Sequence, residues 1–394
     1  MREIVINNKK SGRSLSRRQD FYEREVSEGL KSCTPGEWVI VTDGTSDGLR
    51  LLAIANPMSQ RSAPIRVLDS LKKGEVVEPA TFIRSKIEEA ISLRKRFAHL
   101  SNGSRLIYGE SDKLPGVIVD EYLNSVIIQI NTAGMDSYRD LIKETLSELT
   151  HKNCYFLDNE EYRKSEGLPL FEKDIIPAIE VEENKLRYVI PKDVLQKVGY
   201  YYDHRPNRSK LARWIESSNN DMNSGVDLFS YVGSWGMNML SAGVKEVTFV
   251  DQGDFKETID KNLTLNSFSE KGDFVRANVF DWVKTNKKTF DVVVSDPPAF
   301  SKSLKNKSKA LGGYQKLHRS LSQMVHSGSL LAIGSCTHGV TLEELDLTVA
   351  QGFQESPFKA FLIDLGHQGA DHPIEQLGSS GHYIKFLLYQ IVKR

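Results

Sequence analysis

Residues 291–300 read Asp-Val-Val-Val-Ser-Asp-Pro-Pro-Ala-Phe, and this stretch narrows the possible folds of the chain more than any other. The apolar run 292–294 predicts a strand leading straight into Asp296-Pro297-Pro298 and then Phe300. Two successive prolines have no N–H and a fixed φ, so they end the strand and stiffen the loop leaving it. A carboxylate and an aromatic ring are thereby held on a rigid lip at the carboxyl end of a strand, where open α/β sheets bind ligands. Such a lip suits a planar nucleobase edge, gripped by hydrogen bonds and stacking. An Asp-Pro-Pro turn can equally be structural, and the run alone leaves both readings open.

The surrounding sequence repeats the arrangement. In 225–237 (Gly-Val-Asp-Leu-Phe-Ser-Tyr-Val-Gly-Ser-Trp-Gly-Met) a short strand ends at Asp227, and a turn spaced by Gly233 and Gly236 opens a helix over 234–240. Glycine lets the backbone approach a ligand, and the helix start offers free N–H groups. The spacing is not G-x-G-x-x-G and no Walker lysine follows, which argues against a diphosphate cradle. A second strand, 246–250, ends at Asp251, a carboxylate placed to bind ribose hydroxyls about 20 residues beyond the glycine turn. A third, 274–277, ends at Asn278, whose amide can read an adenine edge. The fourth leads to Asp296, and a fifth, 330–334, leads to Ser335-Cys336-Thr337. Every polar group named stands at a strand's C-terminal end.

This series resembles a class I S-adenosylmethionine-dependent methyltransferase. More narrowly, it is similar to the bacterial family, PUA-containing, that methylates carbon 5 of a cytosine in 23S ribosomal RNA of the large subunit. The likeness is carried by Arg-Leu-Ile-Tyr-Gly-Glu-Ser-Asp-Lys-Leu-Pro-Gly-Val-Ile-Val-Asp at 105–120 and Lys-Val-Gly-Tyr-Tyr-Tyr-Asp-His-Arg at 197–205. Phe-Ser-Tyr at 229–231 with Gly233, the Asp-Pro-Pro loop, Ser335-Cys336 and Ala370-Asp371-His372-Pro373 also fit, so the similarity spans residues from about 100 to the end. It implies S-adenosylmethionine as cofactor, held by Asp227, Phe229, Ser230, Tyr231, Gly233, Asp251, Asn278 and Asp296. In this family a carboxylate often follows the third strand, where this chain has Asn278 with Asp281 three residues on. Tyr201, Asp203 and Arg205 are expected to close over the methionine end of the cofactor, with Arg205 on its carboxylate, or else to form an ion pair of the protein.

The resemblance also explains what Cys336 is for. Carbon 5 of cytosine is too weak a nucleophile to take a methyl group directly. A thiolate adding to carbon 6 turns the ring into an enamine that can, and a base then removes the carbon 5 proton so that the thiol is eliminated. A sulfonium or a nearby Lys or Arg would favour the thiolate. Asp296 is expected to bond the cytosine ring, and Asp371 or His372 to be the proton-removing base. Phe300 either stacks on the base or belongs to the core. Cys33 and Cys154 lack any such context and read as structural.

Three cysteines, odd in number and far apart, argue against a disulfide framework or a zinc site, and so for a reducing, cytoplasmic setting. No run of about 18 apolar residues marks a membrane span. The 52 Lys and Arg balance 52 Asp and Glu, so an RNA partner, expected to be large-subunit ribosomal RNA, must be met by local charge. Candidates are Lys302, Lys305, Lys307 and Lys309 beside Phe300, the group Arg205, Arg208, Lys210 and Arg213, and the N-terminal Lys9, Lys10, Arg13, Arg17 and Arg18. Pro297, Pro298, Phe300, Lys302 and Lys305 form the expected substrate lip, with phosphate contacts that position the strand. No metal is expected, and a homodimer is left open.

The organisation predicted is α/β and tripartite. Residues 1–75, with β-like pieces at 38–42, 51–55 and 65–68, suit a small PUA-like β-barrel. The aromatic segment that the resemblance implies near residue 19 reads Gln-Asp-Phe-Tyr. Residues 76–190 form a small α/β middle domain, with helices over 80–100 and 136–149 and strands at 116–120, 125–131 and 155–158. Residues 191–394 form the Rossmann-like methyltransferase domain, ending in an apolar strand within 383–392 that matches the antiparallel last strand of the class. Two alternatives keep the fold: methylation of a guanine or adenine nitrogen, where Cys336 is idle, and a non-catalytic RNA-binding assembly factor.

Overall fold

The computed structural model describes residues 1–6, 20–45, 48, 50–60, 63–100, 102–172, 174–195, 199–301, 306–374 and 381–394. Two compact units divide the chain. One comprises Met1–Ile179 with Gln196–Gly199 and Asp371–Glu375, the other Glu180–Leu195, Tyr200–Ala370 and Gln376–Arg394.

The first unit holds a six-stranded mixed sheet and a four-stranded sheet. The six-stranded sheet uses the expected strands, here Glu37–Thr42, Arg50–Ala55 and Ile65–Ser70, with Arg2–Ile6 joined in parallel to Glu37–Thr42. The helix Pro79–Lys95 starts where proline occupies the first turn and the Glu78 carboxylate accepts from Ala80 and Thr81 N–H, at 3.1 and 2.6 Å. It ends five residues earlier than the sequence pattern suggests, and a short 3-10 turn, Ala98–Leu100, follows. Its Ile83, Ile87 and Ile91 share one core with Trp38, Leu52 and Leu68 of the first sheet and with Val117, Val126 and Ile128 of the second. Residues on both sides of position 75 therefore fold around a common apolar cluster. The helix expected over 136–149 is two pieces, Ala133–Asp136 and Arg139–Thr150. The break frees the Asp136 carboxylate to take both Arg163 guanidinium nitrogens, at 2.7 and 3.1 Å.

The second unit is built on a seven-stranded sheet. Its strands are β1 (Ser224–Leu228), β2 (Glu246–Asp251), β3 (Gly272–Arg276), β4 (Phe290–Ser295), β5 (Val325–Ser335), β6 (Phe358–Gly366) and β7 (Lys385–Lys393). The helices are α1 (Arg205–Glu216), α2 (Ser234–Ser241), α3 (Lys256–Leu265), α4 (Val279–Thr285), α5 (Lys307–Leu321) and α6 (Leu342–Gly352). Strand order is β3-β2-β1-β4-β5-β7-β6, parallel except for β7, which is antiparallel to both β5 and β6. This is the Rossmann-like architecture with an antiparallel closing strand that the sequence implies. One face packs Val226, Val293, Leu331 and Ile333 against Val283, Leu317, Leu321 and Leu345, all fully or nearly fully buried. Each such side chain contributes about 1.5–3 kcal/mol relative to exposure. The order reverses between β1 and β4, and at such a switch point the crevice beyond the strand ends is the natural ligand site.

Candidate active site

Strand register sets the site. Leu228 pairs with Val250 on one side and Ser295 on the other, and Ser295 pairs with Ile333. One residue further along each strand, Asp251, Phe229, Asp296 and Gly334 follow in a row across the sheet. Beyond Gly334, Ser335 pairs with Lys385 of β7, and Cys336 leaves the sheet.

The turn after β1 is shaped to hold a ligand. Phe229, Tyr231 and Gly233 all have positive φ, at 64°, 47° and 85°, a left-handed geometry that is uncommon outside glycine. The turn is held by the Phe229 and Ser230 N–H groups donating to the Val250 carbonyl, at 2.9 and 3.2 Å. Asp251 accepts from Tyr231 N–H at 3.0 Å and Gly253 N–H at 2.8 Å, which fixes its carboxylate beside the turn. Gly236 lets α2 approach the sheet, since a Cβ there would lie 2.1 Å from the Phe249 ring. Its N–H donates to one oxygen of the fully buried Asp227 at 2.9 Å. The other Asp227 oxygen and the Ser230 hydroxyl are buried without a hydrogen-bond partner. Burial, with the neighbouring charges of Asp296 and Asp251, pushes the Asp227 carboxyl up to about 8.

A nucleoside cofactor fits these groups. Unsatisfied buried polar atoms are costly and are retained where a ligand completes them. Asp251 keeps lone pairs for ribose hydroxyls, and Phe280, partly exposed and edge-on to Phe229 at 5.3 Å, offers an aromatic face next to Asn278. Asn278 is exposed at the start of α4. No sequence signal singled out Phe280; its place at the start of the helix after β3 was the available hint.

The second half of the site joins the β4 and β5 ends. Asp296 lies over Gly334, where a Cβ would meet its carboxylate at 2.4 Å. Trp235 Nε1 donates to Asp296 at 3.2 Å, and His204 Nε2 stands 3.5 Å from its other oxygen. The Phe300 N–H donates to the Thr337 hydroxyl at 3.1 Å, and Tyr314 Oη bonds both Ser335 and Thr337 hydroxyls at 2.8 Å. The Asp-Pro-Pro loop and the Ser-Cys-Thr turn are thus tied together on either side of Cys336. Cys336 is partly exposed, whereas Cys33 and Cys154 are buried. Burial raises the thiol pKa of both buried cysteines, that of Cys154 to about 11. Tyr201 and Tyr314 both feel the charges of Cys336 and Asp296, and burial pushes both phenols up, Tyr314 to about 12. Pro297 is buried and Pro298 exposed. Phe300 stacks on Tyr314 at 4.2 Å, which occupies one of its faces.

Other expected residues lie differently. Arg205 is buried with its Nε 3.5 Å from Glu183 and its guanidinium over the Tyr202 ring. Asp203 accepts from the Tyr383 hydroxyl at 2.6 Å. Lys307 pairs with Glu344 at 2.6 Å, while Lys302, Lys305 and the basic N-terminal cluster fall outside the described residues. Asp371 and His372, expected as the proton-removing base, belong to the first unit. Asp371 is fully buried, accepting from Arg105 N–H at 3.2 Å and bonding His372 at 3.0 Å, while its carbonyl takes Arg94 at 3.0 Å. The pair thus takes part in that unit's ion-pair network. Among the described residues no cluster of His, Cys, Asp and Glu could hold a metal, and no helix is long and apolar enough to cross a membrane.

Residues 206–330 match the family described as Conserved hypothetical protein 95. The chain is 30% identical over 302 residues to ribosomal RNA large subunit methyltransferase I of Shewanella amazonensis, covering 73% of this chain and 74% of that one. The corresponding protein of Cronobacter sakazakii is 28% identical over 388 residues, covering 95% of each. Among solved structures, a protein of Streptococcus mutans described as a SAM-dependent methyltransferase aligns with a TM-score of 0.76 over 99% of this chain and 100% of that one, at 18% identity. A crystal structure described as a methyltransferase complexed with SAH aligns with a TM-score of 0.79 at the same identity and coverage. The fold is therefore that of an S-adenosylmethionine-dependent methyltransferase, and the chain belongs to the ribosomal RNA large subunit methyltransferase I family.

Proposed function

We propose that this protein methylates carbon 5 of a cytosine in large-subunit ribosomal RNA, with Cys336 as the nucleophile. Family membership supports the RNA methyltransferase activity, the ribosomal RNA substrate and the S-adenosylmethionine cofactor. The observation that carries the finer reading is the partly exposed Cys336, clamped between two hydroxyls that Tyr314 holds and tied to the Asp296 loop through Phe300 and Thr337. A thiol that served only packing would be buried like Cys33 and Cys154.

When bound, S-adenosylmethionine supplies an electrophilic methyl group on its sulfonium. The chain's own groups do the rest. Asp251 and the Asp227–Gly233 turn hold the nucleoside, and Asp296, anchored by Trp235, meets the cytosine ring through the oxygen lone pairs left to it. The Cys336 sulfur adds to carbon 6 and raises electron density at carbon 5. Pro298, together with Lys302 and Lys305 of the basic run after Phe300, contacts the strand. The PUA-like N-terminal segment 1–75 provides a further RNA contact, and the three segments 1–75, 76–190 and 191–394 act as functional modules. The target base must leave its stack to reach the thiol, so loop or single-stranded RNA is preferred over duplex.

Large-subunit ribosomal RNA transcribed with 5-fluorocytidine tests this. Fluorine at carbon 5 is not abstracted as a proton is, so the parent protein should form a stable covalent RNA adduct and Cys336→Ala should form none. Methyl transfer to ordinary RNA should fall by about 10³-fold or more in Cys336→Ala, with cofactor affinity retained. An active Cys336→Ala protein would sink the carbon 5 reading and favour methylation of a base nitrogen.

A further inference from the structure

Lys385 opens β7 and faces Ser335 across the β5–β7 ladder. Its side chain is buried and its ammonium donates to the Thr337 carbonyl at 2.8 Å. Among the described residues no carboxylate pairs with it. Burying an ammonium without a counter-charge is costly, and proteins normally pair or neutralise such a group. Burial drives Lys385 down to about 8, and the charge that works against this is that of Cys336.

Other titratable groups lie around Lys385 and Cys336. His338, on the turn after Cys336, is lowered first by burial and then by the Lys385 charge itself. His382 is lowered by burial, then by His367 and Lys385. Tyr201 and Tyr314, whose phenols are raised by burial and feel the Cys336 charge, stay neutral at physiological pH.

We propose that Lys385 is a positioning residue whose ammonium is the counter-ion that keeps Cys336 as a thiolate, ready to add to the pyrimidine ring. This deepens the carbon 5 reading and rests on it. In forming the thiolate the S–H bond breaks, its proton goes to water, the electron pair stays on sulfur, and the ammonium keeps all its protons. When sulfur bonds to carbon 6, the carbon 5–carbon 6 π pair shifts into the base and negative charge leaves the sulfur. Carbon 5 then takes the methyl group from the sulfonium. When a base removes the carbon 5 proton, that C–H pair re-forms the carbon 5–carbon 6 π bond and the carbon 6–sulfur pair returns to sulfur beside the same ammonium.

The test is the pH dependence of Cys336 alkylation by iodoacetamide, followed by mass spectrometry on the full chain. Cys33 and Cys154 are buried with raised thiol pKa values, so modification at moderate pH reports on Cys336. Lys385→Met should shift the alkylation midpoint upward by about 1–3 pH units, and Lys385→Arg should leave it near the parent value. Retained S-adenosylmethionine affinity shows that each variant folds. If Lys385→Met loses it, Lys385→Gln, which keeps a donor for the Thr337 carbonyl, replaces it. A neutral variant with the parent midpoint, or Lys385→Arg shifted as far as the neutral variant, overturns the proposal. Alkylation needs no RNA, so this outcome is separate from failure of the carbon 5 reading, which shows as an active Cys336→Ala protein.

Discussion

Buried charges are treated in opposite ways in the two compact units. In the first, guanidinium groups meet carboxylates in two-pronged pairs: Arg66 with Glu166 at 3.1 and 2.7 Å, Arg94 with Asp112 at 2.6 and 2.7 Å, Arg105 with Asp120 at 2.8 and 2.9 Å. Burial pushes the Glu166 carboxyl up, but Arg66, Ser59 and Asn56 outweigh it and hold it down at about 2. In the second unit, among the described residues, Asp227 has one oxygen without a partner and Lys385 has only a carbonyl. The second unit can also build paired charges, since Arg208 and Glu183 form such a bridge under α1. The imbalance is therefore local to the strand ends. Bidentate pairing serves the fold, whereas leaving a buried polar atom unmet, at about 1–3 kcal/mol each, serves a ligand that will meet it.

Breaking a pair in the first unit should have the largest effect on stability. Arg94→Ala strands the Asp112 carboxylate and removes donors from the Arg105 and Asp371 carbonyls, so urea unfolding should show a loss of about 3–5 kcal/mol. A loss under about 1 kcal/mol would mean that the pair is solvated and the contrast between the units is false. Next comes Asp251→Ala, which should weaken S-adenosylmethionine binding by about 1.5–3 kcal/mol in calorimetry. Unfolding of the ligand-free variant should change far less than in Arg94→Ala. Unchanged affinity would remove Asp251 from the cofactor site.

The smallest effect is a change of slope. The folded-state pKa of Asp227, about 8, lies above the ordinary carboxylate value of about 4. Across that window the folded protein keeps a proton that the unfolded chain has released, so this group's contribution to stability is lost as pH rises from about 4 to about 8. Asp227→Asn should flatten the ligand-free stability curve over that range. Parallel curves for parent and variant would show that Asp227 is ionised in the fold, contrary to the contrast drawn between the units.

Much of the second unit was legible before the structure. Five apolar runs with polar ends at Asp227, Asp251, Asn278, Asp296 and Cys336 give strands in the expected places, because period, chain-breaking prolines and glycine turns are local signals. Distant partners were not legible in the same way. The side chains of Asp371 and His372 meet Arg105 and Tyr108, hundreds of positions earlier, contacts that no local signal announces. The boundary drawn at residue 75 followed a change in strand pattern, while Trp38, Leu52 and Leu68 pack into the core of the segment that follows. No local signal marks Trp235 or Tyr314, and only folding brings the one to Asp296 and the other to Ser335 and Thr337.

The amino-acid order by itself determined the alternation of strand and helix, the glycine-spaced turn at Gly233 and Gly236, the stiff Asp-Pro-Pro lip and the lone thiol after β5. Those depend on φ limits, side-chain period and missing N–H groups within a few residues. Only the tertiary structure decided that Lys385 lies opposite Ser335 and that Asp296 rests on Gly334. Pairing register between strands about 50 residues apart is set by closing the whole sheet over its core, and a slip of one residue would turn each of these side chains to the other face.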